Sequence, residues 1–509
     1  MLPRTTRRTV LSGTRSLVAL SAAAALLVAA PVAYAAQSAT PKAGSTAAKT
    51  GASAAPACTV SVHPSSNVNA VVANSAAGAV ICFAPGTYRL TSALSPRPDQ
   101  TLRGGPGVVL SGTRRVNNWV ASGKLFEAHG HLPAPYSGAG VCERANSTSC
   151  QLAEDLFVNG HPLRRVDSLA AVTAGTYYAD YSANEIAVAS RPARNTAEIG
   201  TTRTAINSGS PGVTIDHFQV QGFASIAQQG AIVVGPSWTV EHCNVRYNHG
   251  VGIMIAGGDH AKLIKNYVHD NGQLGVGQWR SQHTVIRNNT IRHNNIDGFW
   301  KADWESGGIK LTYSSATITH NTVKSNLGVG VWADVQDDGV TISHNTILNN
   351  AADGVRYEIS YNGKIVDNVV RHNALGMGRG GGTSLYSGAG IDINTSSDIT
   401  ISGNTLRGNL NGISTQLRNR GSGPKGAFTL AHVQVTGNFV DLSRGGASSG
   451  MVENVGDPQA MQQNDIVFQN NTYVLAHAGQ PSFSVAGRNV SWQGWQANGQ
   501  DTSGRTLIS

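Results

Sequence analysis

Val285-Ile286-Arg287-Asn288-Asn289-Thr290-Ile291 returns as Ile318-Thr319-His320-Asn321-Thr322-Val323, then as Ile342-Ser343-His344-Asn345-Thr346-Ile347 and Ile401-Ser402-Gly403-Asn404-Thr405-Leu406. Each copy is a valine- and isoleucine-rich run that ends in an asparagine turn. Aligned, the copies form a column of Asn244, Asn266, Asn289, Asn321, Asn345, Asn368, Asn404, Asn438 and Asn471. A second column follows four or five residues later as Asn248, Asn271, Asn294, Asn326, Asn350, Asn373 and Asn409. The shortest steps are 22 to 24 residues, the length of one coil of a parallel β-helix. An asparagine in every coil can hydrogen-bond the next one along the axis, and Asn tolerates the left-handed turn. The strands alternate apolar and polar residues, so one face fills a narrow interior. No coil is stable alone; its faces are buried only by stacking. The expected fold is all-β, a single-stranded parallel β-helix. A propeller or sandwich would need longer repeats or hairpin turns.

The first 35 residues read as an address. Arg4, Arg7, Arg8 and Arg15 precede an apolar run from Leu17 to Ala30, and Ala33-Tyr34-Ala35 offers a small-x-small cleavage site. The run is too short for a good membrane span. Thr6-Arg7-Arg8-Thr9-Val10-Leu11 also fits a twin-arginine export signal, so two export routes stay open. Both lead to a secreted, extracellular protein. Residues 36–57 are small and polar and read as a tether. Residues 58–509 are expected to form one domain, because repeats override the length prior.

Of the formal charge of +9, the four leader arginines supply +4, which leaves +5. The basic residues are scattered and form no patch of the kind nucleic acid requires. Cys58 with Cys82 and Cys142 with Cys150 are expected to form disulfides in an exported chain. Cys243 is left over without a His/Cys cluster beside it, which argues against zinc. Nothing in the pattern asks for a second copy, so a monomer is expected.

These features resemble the pectin-lyase-like superfamily of parallel β-helix proteins, over essentially the whole mature chain. Phe83-Ala84-Pro85-Gly86-Thr87-Tyr88-Arg89 resembles the entry segment of that group. Leu156-Phe157-Val158-Asn159-Gly160 resembles the start of a small β-rich insertion found in β-helical glycoside hydrolases, which would occupy about 113–205 here. Trp495-Gln496-Ala497-Asn498-Gly499-Gln500-Asp501 resembles a C-terminal signature of the same group. The resemblance implies a right-handed helix and a carbohydrate-active enzyme. Fold alone does not fix the chemistry.

Irregularities in the repeat mark where the chemistry belongs. The step grows to 32 residues between Asn289 and Asn321, and to 36 between Asn368 and Asn404. The extra residues follow the second asparagine each time, so both loops should wall a cleft on one side. The first loop holds Phe299, Trp300, Asp303, Trp304 and Glu305; the second is glycine-rich and holds Met377 and Tyr386. Floor strands begin Gly308-Ile309, Gly330-Val331, Gly354-Val355 and Gly390-Ile391. If the apolar residues face inward, Lys310, Trp332, Arg356 and Asp392 face outward, followed by Thr312, Asp334, Glu358 and Asn394.

Asp334 and Glu358 then stack as like charges one rung, about 4.8 Å, apart. That is unfavourable unless a proton, a metal or a cation compensates. Arg356 and Lys310 could do so in a purely solvated pair. As a functional cluster, two carboxylates on one cleft suit glycoside hydrolysis, with retention near 5 Å and inversion at about 6.5–9.5 Å. Asp334 with Glu358 fits the first spacing and Asp334 with Asp392 the second, while Glu305 hangs over both. Lys310, Arg356 and Asn394 would position substrate, and Trp300, Trp304 and Trp332 would stack on sugar rings. The main rival is a polysaccharide lyase. It would use Lys310 or Arg356 as base, with Ca2+ on Asp303, Glu305, Asp334 or Glu358. The Glu305 to Lys310 spacing resembles one alginate and dermatan lyase group, but Trp332 stands where a basic partner is wanted. A non-catalytic glycan-binding surface protein is the third reading. His269, His293, His320, His344 and His372 follow the turns and are expected to be a surface stack. The expected partner is a polysaccharide.

Overall fold

The computed structural model describes residues 57–135, 140–143, 149–302, 304–376 and 384–509. The leader, nearly all of the tether, Asp303 and Met377 lie outside the described residues.

Each coil gives one short strand to each of three sheets. One full turn runs through Thr284–Arg287, Thr290–Arg292 and Gly307–Thr312, and the next strand, Ala316–Thr319, lies beside the first of these. Among the described residues, stacked turns build three long sheets of 13, 13 and 12 strands. The two larger are parallel throughout; in the third, the last pair, Phe483–Val485 with Arg488–Val490, is antiparallel. Alternation sends Ile309, Leu311, Val331, Ala333, Val355, Tyr357, Ile391 and Ile393 into one continuous core, where none is more than 1% exposed.

Both asparagine columns are hydrogen-bonded ladders in the turns. Asn345 Oδ1 accepts from Asn321 N at 2.9 Å and from Asn321 Nδ2 at 3.0 Å. Its own Nδ2 donates to Asn368 Oδ1 at 3.0 Å and to Ile318 O at 2.8 Å. The first ladder runs from Asn266 to Asn471 and ends on Asp501 Oδ1, which accepts from both Asn471 N and Nδ2. The second runs from Asn248 to Asn409. One placement from the sequence needs correction. Asn244 pairs with Tyr267 in a strand, and Cys243 occupies the ladder position, its N donating to Asn266 Oδ1 at 3.0 Å. Asn244 is one residue past the turn, so its side chain leaves the column.

The ladder also explains the glycines that open the floor strands. A Cβ on Gly330 would lie 2.5 Å from Gly354 O and 2.8 Å from Asn350 Nδ2, so a side chain has no room beside the amides.

Both ends are closed by short helices. Val68–Asn74 buries Val72, and Asn67 caps it by accepting from Ala70 N. At the other end Trp492–Ala497 places Trp495 against Phe468 and Phe483, and Trp495 Nε1 donates to Asp501 Oδ2 at 3.1 Å. Among the described residues between Thr113 and Gly200 the chain builds two small, mainly antiparallel sheets of four and five strands, with their own core around Val116, Trp119, Leu156, Tyr177, Ile186 and Ile199. Disulfides join Cys58 to Cys82 and Cys142 to Cys150. Among the described residues no helix is long and apolar enough to cross a membrane.

Asn345→Ala would strand ladder groups on two neighbouring coils, each buried group costing about 1–3 kcal/mol. The expected loss is on the order of 3 kcal/mol, read as a lower urea midpoint. A change within about 0.5 kcal/mol, the range of ordinary surface sites, would contradict the role given to the ladder.

Candidate active site

The outward face of the third sheet carries the two side-chain columns in register. Gly277, Lys310, Trp332, Arg356, Asp392 and Ser414 align on successive strands, and so do Trp279, Thr312, Asp334, Glu358, Asn394 and Gln416. This face is not open to solvent. Lys310 and Trp332 are 4% exposed, Asp334 and Glu358 7%, Arg356 2%, and Asp392 and Asn394 1%.

Three insertions surround it. Two are the loops that precede the strands Gly307–Thr312 and Ile391–Asn394. The third, absent from the sequence reading, follows the strand Ile413–Leu417 and contains a hairpin of Ser422–Gly423 with Gly426–Ala427. Its signal was available: the ladder step from Asn404 to Asn438 is 34 residues. The hairpin reaches back over the floor, with Arg420 Nη1 on Glu358 Oε1, Lys425 Nζ on Asp338 Oδ2 at 2.7 Å, and Phe428 stacked on Tyr361.

Lys310 is the hub of one half of the site. Its Nζ donates to Glu305 Oε1 at 2.6 Å, lies 2.9 Å from Asp334 Oδ2 and sits 3.7 Å from the centroid of the Trp332 ring. Burial pulls its pKa down, but Asp334 and Glu305 outweigh burial and the net shift is upward. Asp334 is shifted upward as well, which for an acid favours the neutral form. Burial and the charge of Glu358 lift its carboxyl to about 6, against the pull of Lys310. Asp334 Oδ1 has no hydrogen-bond partner among the described residues. Asp337, also unforeseen, fixes the backbone here: it accepts from Asp334 N at 3.0 Å and Ser314 N at 2.7 Å, and burial raises its own pKa well above the usual range. Glu358 faces Arg420 and accepts from Asn394 Nδ2 at 3.2 Å.

The other half is a buried ion network. Arg356 Nε donates to Asp353 Oδ2 at 2.8 Å and lies 4.0 Å from Asp392 Oδ2; Gln416 Nε2 donates to Asp392 Oδ1 at 2.6 Å. Several sequence expectations change accordingly. Asp392 and Arg356 are committed to each other and to Asp353 and Gln416, which removes the wider Asp334–Asp392 arrangement and a substrate role for Arg356. Trp332 offers no free face to a sugar, because Lys310 stacks on it from one rung and Arg356, 4.7 Å from its centroid, from the other. Trp300 is 1% exposed and packs on Gly140, where an added Cβ would come within 2.2 Å of its ring. Segment 140–143 pairs with its loop through Lys301 N to Val141 O at 3.0 Å and Glu143 N to Phe299 O at 2.7 Å. Trp304 stacks on Trp300 at 5.8 Å between centroids and is half-buried, so both tryptophans shape the loop. Calcium asks for six to eight oxygens, whereas among the described residues Glu305, Asp334 and Glu358 each turn one oxygen to Lys310 or Arg420.

Comparison with known proteins settles the hand of the coil. A family model described as the right handed beta helix region matches residues 229–406. The chain is a right-handed parallel β-helix. Among solved structures the β-helix is similar to XylC, in its complex with xylose, with a TM-score of 0.61 and 16% identity over 80% of each chain. It is also similar to the mannuronan C-5 epimerase AlgE4 A-module of Azotobacter vinelandii, with a TM-score of 0.40 and 14% identity over 71% of this chain and 86% of that one. PfbA, a surface adhesin of Streptococcus pneumoniae, follows with a TM-score of 0.36 and 12% identity over 71% of this chain and 89% of its own. At 16% identity the likeness to XylC is one of fold. No curated protein matches the chain.

Since the folded-state pKa of Asp334 lies above that of a free aspartate, its contribution to stability is full below the ordinary carboxylate range and is lost as pH rises past about 6. Removing the neighbouring charge with Glu358→Gln is expected to lower the Asp334 titration, and Lys310→Met to raise it. Carboxyl titration by infrared or NMR spectroscopy reads both, and a value unmoved by Glu358→Gln would contradict the coupling.

Proposed function

We propose that the protein is a secreted glycoside hydrolase that acts with retention, with Asp334 as acid and base and Glu358 as nucleophile. The observation that carries this reading is the in-register pair itself. Two carboxylates occupy neighbouring rungs of a covered polar floor, where plain β-helix surface would place hydroxyls or amides. One rung is about 4.8 Å, close to the roughly 5–5.5 Å separation of retaining enzymes.

The environments support different roles. Asp334, lifted to about 6, can hold a proton in mildly acidic solution and deliver it to a glycosidic oxygen. Glu358, facing the Arg420 guanidinium, has the counter-charge that suits an ionised nucleophile. In the first step the Asp334 proton passes to the leaving oxygen while a Glu358 oxygen bonds to the anomeric carbon. In the second, Asp334 takes a proton from water, whose oxygen displaces Glu358 and restores both carboxyls. Lys310 and Glu305 hold Asp334 in place, and Asn394 holds Glu358. Carboxylates so deeply covered suit a pocket that accepts one chain end of a polysaccharide, more than an open groove.

The lyase reading loses support from the same contacts. A base must be neutral to accept a proton, and Glu305 and Asp334 hold Lys310 in its charged form. Arg356 is held charged as well, chiefly by Asp353 against the pull of burial.

Asp334→Asn and Glu358→Gln are each expected to lower kcat by about 10²–10⁴-fold on a panel of aryl glycosides and polysaccharides. Azide should rescue Glu358→Ala as a glycosyl azide of inverted configuration, and Asp334→Ala as one of retained configuration. The opposite pattern would exchange the two roles. New ultraviolet absorbance from an unsaturated product would make the protein a lyase. Glycan binding without turnover, unchanged in both variants, would make it a binding protein.

A further inference from the structure

Residues that turn the coil fall into register as the strands do, and at one turn this gathers groups of metal-ligating chemistry. His217 and His242 hold the same left-handed turn position on successive coils, with φ of 59° and 53°. Their rings stack at 4.5 Å between centroids and 24° between planes. Asp216 serves both: His217 Nδ1 is hydrogen-bonded to Asp216 Oδ1, and His242 Nδ1 lies 3.2 Å from the same oxygen. One ligand atom from each of the three residues lies within 4.8 Å of the others.

The cluster stands beside Cys243, where the sequence shows no such group, because Asp216 and His217 come from the preceding coil. Cys243 takes no part. It is buried inside the core, its Sγ 3.2 Å from Glu241 O, and burial pushes its thiol up to about 12.

We propose that Asp216, His217 and His242 bind one divalent first-row transition ion through two imidazole nitrogens and a carboxylate oxygen, with water in the remaining positions. Nitrogen and oxygen donors of this kind suit zinc and its neighbours, not calcium. Local charge is mixed: Glu241 stands in register with Asp216 on the next rung, while Arg103, 3.7 Å from Asp216 Oδ2, and Lys265, at the turn position that follows His242 on the next coil, are the opposing positive groups. The ligands face solvent, with side-chain exposures of 51% for His217, 34% for His242 and 16% for Asp216, so an ion can enter. A second stack on the same turn column lacks the shared acid. His320 and His344 lie 5.0 Å apart, but His320 Nδ1 faces Thr319 Oγ1, and His344 alone approaches a carboxylate, Asp367 at 3.7 Å. That stack is an internal control. A bound ion would tie two neighbouring coils and add to the stability of the fold.

The test is equilibrium dialysis of the full, tag-free, chelator-stripped protein against Zn2+, with Co2+ visible absorption as a second readout. His217→Asn and His242→Asn keep a residue that tolerates the left-handed turn, and circular dichroism checks that each variant is folded. One zinc per chain is expected, lost in His217→Asn, His242→Asn and Asp216→Asn and kept in His320→Asn. Melting should rise with zinc in the parent and not in the three site variants. No stoichiometric uptake by the parent, or uptake that survives His217→Asn with His242→Asn, or equal loss in His320→Asn, would overturn the proposal.

Discussion

Every feature of this protein depends on the in-register stacking of one coil on the next, and the buried asparagine ladders hold that register. A turn buried among parallel strands leaves amide and carbonyl groups that water cannot reach. The asparagine side chain meets both needs, accepting from the coil on one side and donating to the coil on the other. Because each amide needs its counterpart directly above or below, a slip of one residue would break the whole column at once. Where the column begins, Cys243 takes the place of the amide and its backbone N still donates to Asn266 Oδ1. At the far end Asp501 accepts what a further asparagine would have accepted.

The same register makes the site unusual. Stacking places identical positions of neighbouring coils one rung apart, so a carboxylate repeated on two coils must meet its own kind. Here the conflict is balanced by Lys310 on the same sheet face and by Arg420 from the hairpin outside it. Neither cation removes it completely, and the remainder, together with burial, appears as the raised Asp334 carboxyl. The neighbouring column shows the alternative solution. Lys310, Trp332, Arg356 and Asp392 alternate cation, ring, cation and anion, and form a network beside the carboxylate pair. Strained electrostatics at one column and satisfied electrostatics at the next set the carboxylate pair apart from its neighbours.

Much of this was legible in the chain. The repeat length, both ladders apart from Asn244, the inward and outward alternation, the disulfides and the pairing of Lys310 with Trp332 and Asp334 with Glu358 all follow from aligning one coil on the next. The misplacement of Asn244 has the same origin: alignment by residue type prefers an asparagine, while the turn geometry takes the residue before it. Trp300, Trp304 and Trp332 were open to a wrong reading because a tryptophan near a cleft looks alike in sequence whether its faces are free or covered.

By itself, then, the sequence determined the coil, its register and the facing carboxylates, because a helix of stacked strands turns a one-dimensional period directly into spatial neighbours. Tertiary structure alone decided what the insertions do. Arg420 reaches Glu358 across 62 residues, Trp300 disappears beneath segment 140–143, and Arg356 closes on Asp353 and Asp392. Insertions have no period and therefore no register. Where their side chains come to rest is set by which buried charge or apolar surface they cover, a quantity that exists only once the coils are stacked.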